Sequence, residues 1–336
     1  MKSNPLISII IPVKNTELFL VECLKSIVNQ TETNWELIAI NDHSTDKSLK
    51  ILKEFEKDDS RIKVYNATGS GIIDALRLAY SKSKGVLITR MDSDDKMSLD
   101  KLKTLKNNLL NNGRGSIAVG LVKYFSAKPM GDGFLKYESW LNELTETGTN
   151  FEGIYKECVI PSPCWMIYRE DLEICDAFNP NYYPEDYDLV FRFYKNGLKP
   201  IPCQKILHHW RDYSTRTSRT HIHYADNTFM EIKVRYFLKL DYDKNKNLVV
   251  WGAGAKGKDL AKKLIDRNIP FYWICDNPKK IGKHIYDQEM LPFTVLDQID
   301  NSQSIVTVAN INAQKEIVSF FDKLKYLVNK DYFFFC

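Results

Sequence analysis

The feature that most limits what this chain can fold into is a strict alternation over residues 6–92. "LISIIIPV" (6–13) is an unbroken, mostly β-branched run, the pattern of a strand covered on both faces. "ELFLVECLKSIVNQ" follows and puts Leu20, Cys23, Leu24, Ile27 and Val28 on one helical face. "WELIAIND" reads as a second buried strand, and "STDKSLKILKEFEK" as a helix with Ser44 as its N-cap candidate and Leu49, Leu52 and Phe55 on one side. "IKVYNA" is a third strand, "GIIDALRLAYSKSKG" a helix closed by Gly85, and "VLITRMD" a fourth strand. Strands and helices in this order predict an α/β fold, a mainly parallel sheet flanked by helices. Ligands of such sheets sit at the carboxyl ends of the strands, where Asp42 and Asp92 both fall.

From 113 to 225 the periodicity weakens, with Gly, Pro and aromatic residues interspersed and one helix expected from about Pro184. "ADNTFMEIKVRYFLKL" (225–240) reads as a connecting helix and "DYDKNKN" as a polar linker. A second α/β unit starts at 248 with strand "LVVWGAG", helix "KGKDLAKKLIDRN", strands "PFYWICD" and "SIVTVA", and helix "NAQKEIVSFFDKLK". The expected domains are therefore 1–225, a connection over 226–247, and 248–336; 336 residues suit two such domains. A net charge of +4 does not mark a dedicated nucleic-acid binder. The seven cysteines are scattered, with no CxxC pair, which fits a reducing compartment and no disulfide or zinc framework. No apolar run approaches the ~18 residues of a membrane span, and the N-terminus does not resemble a signal peptide, so a cytoplasmic protein is expected.

The fourth strand ends in "MDSDD". Carboxylates packed this densely repel one another and are costly beside a core, unless a cation holds them. Residues two apart in an extended chain point the same way, so Asp92 and Asp94 can share one cleft and hold a Mg²⁺ or Mn²⁺ against a departing diphosphate. Acids capping a turn or a helix N-terminus explain the same residues. Asp42 suits hydrogen bonds from a base N–H or ribose hydroxyls, or an Asx turn; Asp46 reads as a first-turn helix acid.

"ISIIIPVKN", "ELIAINDHSTDKS" and "GVLITRMDSDD", in this order and spacing, resemble the family 2 glycosyltransferases of GT-A fold, over about residues 5–220. Lys14 stands where that family commonly has an aromatic residue. The resemblance implies an inverting, metal-dependent transfer of a sugar from a nucleotide-sugar donor, UDP-linked by preference. The implied acceptor is a glycan or lipid-linked glycan of surface polysaccharide. It implies Asp94 as metal ligand, Asp92 on the ribose or metal, Asp95 in support and Asp42 on the nucleoside. Pro12, Val13 and Asn15 would line the donor pocket floor, and Arg90 would contact the donor. In "YYPEDYDLVFRF" it implies Asp186 as general base, with Glu185 and Asp188 beside it; the same acids equally suit a helix first turn.

"KILHHWRDYSTRTSRTHIH" is rich in His and Arg. Adjacent histidines, or His221 with His223, do not by themselves make a four-ligand zinc site. The stretch reads as a lid whose Arg211, Arg216 and Arg219 clamp a phosphate, with Trp210 and Arg211 on the donor and His208 or His209 as an added metal ligand. A solvated basic loop is the plain alternative. Gly252, Gly254 and Gly257 form GxGxxG between strand and helix, with Asp276 ending the next strand: the dinucleotide fingerprint, or glycines used for close helix–strand packing. The unit resembles the small Rossmann-like domains attached to some bacterial sugar-modifying enzymes, and is too short for a full dinucleotide fold. The rival functions are a sugar-phosphate nucleotidyltransferase and an NAD-linked or binding role run by this domain. The partners expected are a nucleotide sugar and a glycan acceptor, no nucleic acid, peripheral contact with the inner face of the membrane, and self-association as a homo-oligomer.

Overall fold

The computed structural model describes residues 4–220 and 229–336. The chain divides into two compact units, Met1–Phe151 with Val159–His221, and Glu152–Cys158 with Ile222–Cys336.

The first unit is built on an eight-stranded sheet ordered β3-β2-β1-β4-β7-β6-β8-β5. Its parallel half is β1 (Ile7–Val13), β2 (Trp35–Asn41), β3 (Ile62–Asn66) and β4 (Leu87–Arg90). Between them run α1 (Glu17–Val28), α2 (Ser48–Asp58) and α3 (Ile72–Lys82). Ile7, Ile9, Ile10, Ile11 and Val13 are all fully buried, as expected when helices cover both faces of a strand. Each such aliphatic side chain contributes about 1.5–3 kcal/mol of burial.

Two helix ends differ from the expected ones. α2 starts at Ser48, because Ser44 instead accepts a hydrogen bond from the Asn15 amide at 3.1 Å. Asp46 closes two helices at once, accepting from the amides of Glu17 at 3.0 Å and Ser48 at 2.9 Å. α3 ends at Lys82, before Gly85. Gly85 is needed for a different reason: a Cβ there would lie 2.5 Å from the Ser8 amide nitrogen.

The rest of the unit mixes strand directions. It contains β5 (Lys96–Met97), α4 (Lys101–Asn112), β6 (Ser116–Ser126), α5 (Asp132–Thr147), β7 (Trp165–Tyr168), α6 (Arg169–Ile174), α7 (Glu185–Lys195) and β8 (Lys199–Asp212). β7 pairs antiparallel with β4 and β6, while β6 and β8 run parallel. The histidine-rich stretch expected to be a loop is therefore strand as far as Asp212. The burial alternation of Leu207–His208, Trp210 and Asp212 against β6 is what holds it there. One helical turn follows at Thr217–Thr220. His221 and His223 lie outside the described residues.

The second unit has α8 (Met230–Leu240) and a six-stranded sheet. Its strands are β9 (Asn247–Trp251), β10 (Tyr272–Cys275), β11 (His284–Ile285), β12 (Gln288–Pro292), β13 (Ser302–Val306) and β14 (Tyr332–Phe334), in the order β11-β12-β10-β9-β13-β14. α9 (Ala255–Ile265) follows β9, and α10 (Ile311–Lys323) follows β13. Residues 152–158 add Tyr155, 2% exposed, to this unit's core: its ring stacks on Phe335 at 5.1 Å and its hydroxyl donates to Asp241 at 2.5 Å.

Candidate active site

The site is assembled at the carboxyl ends of β1, β2 and β4. Parallel pairing in register sets Val13 beside Asn41, and the Asp42 amide donates to the Val13 carbonyl at 2.8 Å. This fixes Asp42 at the strand end, where its buried carboxylate accepts from the Gly71 amide at 3.2 and 3.3 Å and from Lys14 Nζ at 3.2 Å. Lys14, at the position where an aromatic residue is usual, thus supplies a cation to this acid. Asn15 adopts a left-handed φ of 52° and accepts from the Thr45 amide at 2.8 Å, pinning the β1 loop to the β2 loop. Pro12 and Val13 precede it on β1.

The acid cluster does not lie on an extended chain, contrary to the reasoning that placed Asp92 and Asp94 on one face. β4 stops at Arg90, and the acids occupy a turn in which the Asp95 amide donates to the Asp92 carbonyl at 3.3 Å. Asp92 accepts from Arg90 Nε at 3.0 Å and from the Ser162 hydroxyl at 3.5 Å. Burial alone would raise its pKa, but Arg90 and Arg216 outweigh burial and hold it below the usual carboxylate range. Asp94 accepts from the Tyr213 hydroxyl at 2.8 Å; burial and the neighbouring Asp95 charge push it up to about 6. Asp95 is fully buried and pushed up to about 7, first by burial and then by Asp92, with Arg216 opposing.

Asp95 is held by a relay. Lys101 Nζ donates to the Pro163 carbonyl at 2.5 Å and lies 3.1 Å from His208 Nδ1, and His208 Nε2 lies 3.0 Å from Asp95 Oδ2. An ammonium can only donate, so Nδ1 is the acceptor and Nε2–H points at Asp95. Burial and Lys101 keep His208 neutral, its pKa well below the ordinary value. Both ring nitrogens are committed, so His208 buttresses Asp95 and has no lone pair left for a cation. His209, the next residue along β8, reaches Ser98 Oγ at 3.3 Å instead. Arg211 is equally committed. Its amide donates to Asp95 at 2.7 Å, its Nε to the Asp94 carbonyl at 2.7 Å and its Nη2 to Glu22 at 2.5 Å, with its guanidinium 4.7 Å from the Phe19 ring and 4.5 Å from the Phe125 ring. Trp210 stacks on Tyr124 at 5.1 Å, and its buried indole N–H has no hydrogen-bond partner among the described residues.

Arg90 connects this cluster to α7. Its Nε meets Asp92, and its Nη1 donates to Glu185 at 3.0 Å. Asp186 is the next residue and lines a small pocket with Arg90, Ser162, Trp165 and Val190. Burial and the Glu185 charge push its carboxyl up to about 7, although Arg90 opposes them. Asp188 turns into its own helix and pairs with Arg192 at 2.8 Å. Of the three acids at the start of α7, Asp186 alone lines the pocket.

Among the described residues, no three His, Cys, Asp or Glu side chains converge on a metal position. The donors present fit a hard cation that takes one or two carboxylates and completes its shell with substrate phosphates and water. Asp94, pushed up by burial and the Asp95 charge even with Arg216 opposite it, is a carboxylate that such a cation would relieve. Sequence reasoning missed Lys101, Ser162 and Tyr213; only the acidic end of β4 hinted that partners were needed.

In the second unit, a Cβ on Gly257 would lie 2.1 Å from the Gly252 carbonyl oxygen, and one on Gly252, at φ 125°, would lie 2.6 Å from Thr307 Oγ1. Both glycines are thus required by close helix–strand packing. Gly254, which precedes α9, faces open space, and Asp276 is exposed after β10.

A curled, parallel-dominated sheet with an acid-rich turn at the end of its fourth strand defines a glycosyltransferase domain of GT-A fold. Residues 8–174 match the model of Glycosyl transferase family 2, and the chain belongs to that family. It is 42% identical over 109 residues to an uncharacterized glycosyltransferase of Haemophilus influenzae, covering 32% of this chain and 44% of that protein. It is 28% identical over 256 residues to glycosyltransferase GlyA of Streptococcus pneumoniae, covering 73% and 36% respectively. The chain thus spans less than half the length of either relative. Among solved structures it is similar to S. aureus TarS 1–349 in complex with UDP-GlcNAc, with a TM-score of 0.56, 18% identity and coverage of 77% and 71%. It is also similar to the mannosyltransferase PcManGT of Pyrobaculum calidifontis in complex with GDP-Man and Mn²⁺, with a TM-score of 0.52, 16% identity and coverage of 78% and 69%.

Proposed function

We propose that the chain is an inverting, metal-dependent hexosyltransferase. It takes a sugar from a nucleotide-sugar donor, UDP-linked by preference, and passes it to a hydroxyl of a glycan or lipid-linked acceptor during surface polysaccharide synthesis. The observation that carries this reading is the Asp186 carboxyl. It lies in a pocket beside Arg90, the same guanidinium that grips Asp92, and its acidity sits near neutrality, where a general base works best.

In this scheme Asp186 removes the proton from the acceptor hydroxyl, and the oxygen attacks the anomeric carbon from the side opposite the diphosphate. The bond from that carbon to the phosphate oxygen breaks, its electron pair leaves with the nucleoside diphosphate, and configuration inverts. Asp42 and the Gly71 amide, with Lys14 at the rim, hold the nucleoside. Asp94, with Asp92 beside it, would hold a Mg²⁺ or Mn²⁺, which neutralises charge growing on the leaving diphosphate. Support comes from the solved neighbours, whose complexes contain UDP-GlcNAc, and GDP-Man with Mn²⁺. A lipid-linked acceptor would be met at the membrane surface; no helix among the described residues is long and apolar enough to cross a membrane.

The test is release of UDP from a panel of UDP-sugars with Mn²⁺ and with Mg²⁺. Asp94→Ala should abolish release, while Asp186→Asn should retain UDP binding and lose transfer. Undiminished transfer by Asp186→Asn would remove it as the base.

A further inference from the structure

Tyr213 and Arg216 lie just past the end of β8, and both converge on the acid cluster. Arg216 Nε is 3.9 Å from Asp94 Oδ2, its Nη2 is 3.7 Å from Asp95 Oδ2, and its side chain is only 13% exposed. The Arg216 amide donates to the Tyr213 carbonyl at 3.2 Å, so the two residues form one turn, and the Tyr213 hydroxyl donates to the same Asp94 Oδ2. The turn is tethered behind by Arg219, which grips Asp212 through two hydrogen bonds of 2.9 and 2.8 Å and lies over the Phe134 ring at 4.4 Å. Among the described residues the Arg216 side chain has no such hydrogen-bonded clamp. Both of its ion-pair distances are long, and its guanidinium lies 5.9 Å from the Trp210 ring.

A divalent cation on Asp94 would face the Arg216 guanidinium at close range, and two cations within about 4 Å repel at the reduced effective dielectric of a buried site. An arginine freed from Asp94 must find another anion, and its planar fork suits phosphate oxygens. We propose that Arg216 is a charge-exchange residue: it screens Asp94 and Asp95 until a divalent cation arrives with a nucleoside diphosphate, then transfers to that diphosphate. The inference rests on the reading of Asp94 as the metal-holding acid. It adds that metal and nucleotide bind as a pair, each weakly without the other. The loose ion pairs are what such an exchange requires, since a tight bidentate pair with Asp94 would not release. The Arg219–Asp212 clamp keeps the turn attached while Arg216 moves.

The test is equilibrium binding of Mn²⁺ to the full chain, read by loss of the free-ion electron paramagnetic resonance signal, with and without UDP. No turnover is involved. The unaltered protein should bind Mn²⁺ weakly alone and at least roughly tenfold more tightly with saturating UDP. Arg216→Gln should bind Mn²⁺ alone roughly tenfold more tightly than the unaltered protein, and the gain from UDP should shrink. Arg216→Lys, which keeps the charge, should behave like the unaltered protein and controls for disturbance of the turn. Equal Mn²⁺ affinity of the unaltered protein and Arg216→Gln without UDP overturns the exchange while leaving the metal site standing. So does Arg216→Lys behaving like Arg216→Gln. Absence of Mn²⁺ binding by any of the three, with UDP present, overturns the metal-site reading and the exchange with it.

Discussion

At the carboxyl end of β4 the first unit gathers Asp92, Asp94 and Asp95; at the carboxyl end of β9 the second gathers Gly252, Gly254 and Gly257. The placement is alike in the two units, each group following a parallel strand inside its sheet. The use differs. In the first unit Asp94 and Asp95 are buried and Asp92 half-buried, oppositely charged partners crowd them, and two carboxyls are pushed up to about 6 and 7. In the second, two of three glycines are consumed by contact between backbone and neighbouring atoms. A strand-end crevice becomes a chemical site where charge is held at a cost, and remains packing where the residues only relieve crowding.

Four substitutions press on this contrast. The largest effect is expected from Asp94→Ala, which should abolish metal-dependent sugar transfer in a UDP-release assay while the far-ultraviolet circular dichroism stays unchanged. Asp186→Asn comes next, with kcat lowered by about 10²–10⁴-fold and UDP affinity retained, both measurable by kinetics and calorimetry. Because Asp186 must be ionised to act, kcat/KM should fall tenfold per unit as pH drops below about 7.

The same residue gives a stability signature. Its folded-state value lies above that of the unfolded chain, so the native state binds the extra proton between about pH 4 and 7, and stability falls as pH rises through that window. Asp186→Asn should therefore raise the melting temperature at pH 8, with the gain fading toward pH 5.

In the second unit, Gly257→Ala should lower stability by about 1–3 kcal/mol by thermal melting, since its Cβ would meet the Gly252 carbonyl. The smallest effect should come from Gly254→Ala, at most about 1 kcal/mol, because that position only precedes a helix and faces open space. If Gly254→Ala instead weakened binding of NAD or a nucleotide sugar while leaving the melting temperature unmoved, the contrast between the units would break there.

The strand–helix alternation up to Arg90 was legible because each element carries its own periodicity. Its buried strands are continuous apolar runs, and its helices show one apolar face. The start of α7 was legible from Pro184 and the acids behind it. The length of β8 was not, because its histidines, tryptophan and arginine match a loop in composition, and only pairing with β6 makes them strand. The Lys101–His208–Asp95 relay was also hidden, since Asp95 and His208 are 113 positions apart and no local pattern links them. The glycine fingerprint was visible as letters, but whether each glycine serves a ligand or a neighbour depends on distances that only the folded chain supplies.

The route of the chain through residues 152–158 bears on how this protein can be inherited. Tyr155 sits among Phe237, Phe333 and Phe335, yet it is encoded between stretches that belong to the other unit. A single recombination point near residue 222 would hand a descendant the strands of the second sheet without that ring. A gene fusion meant to graft this module elsewhere would have to carry two separated segments.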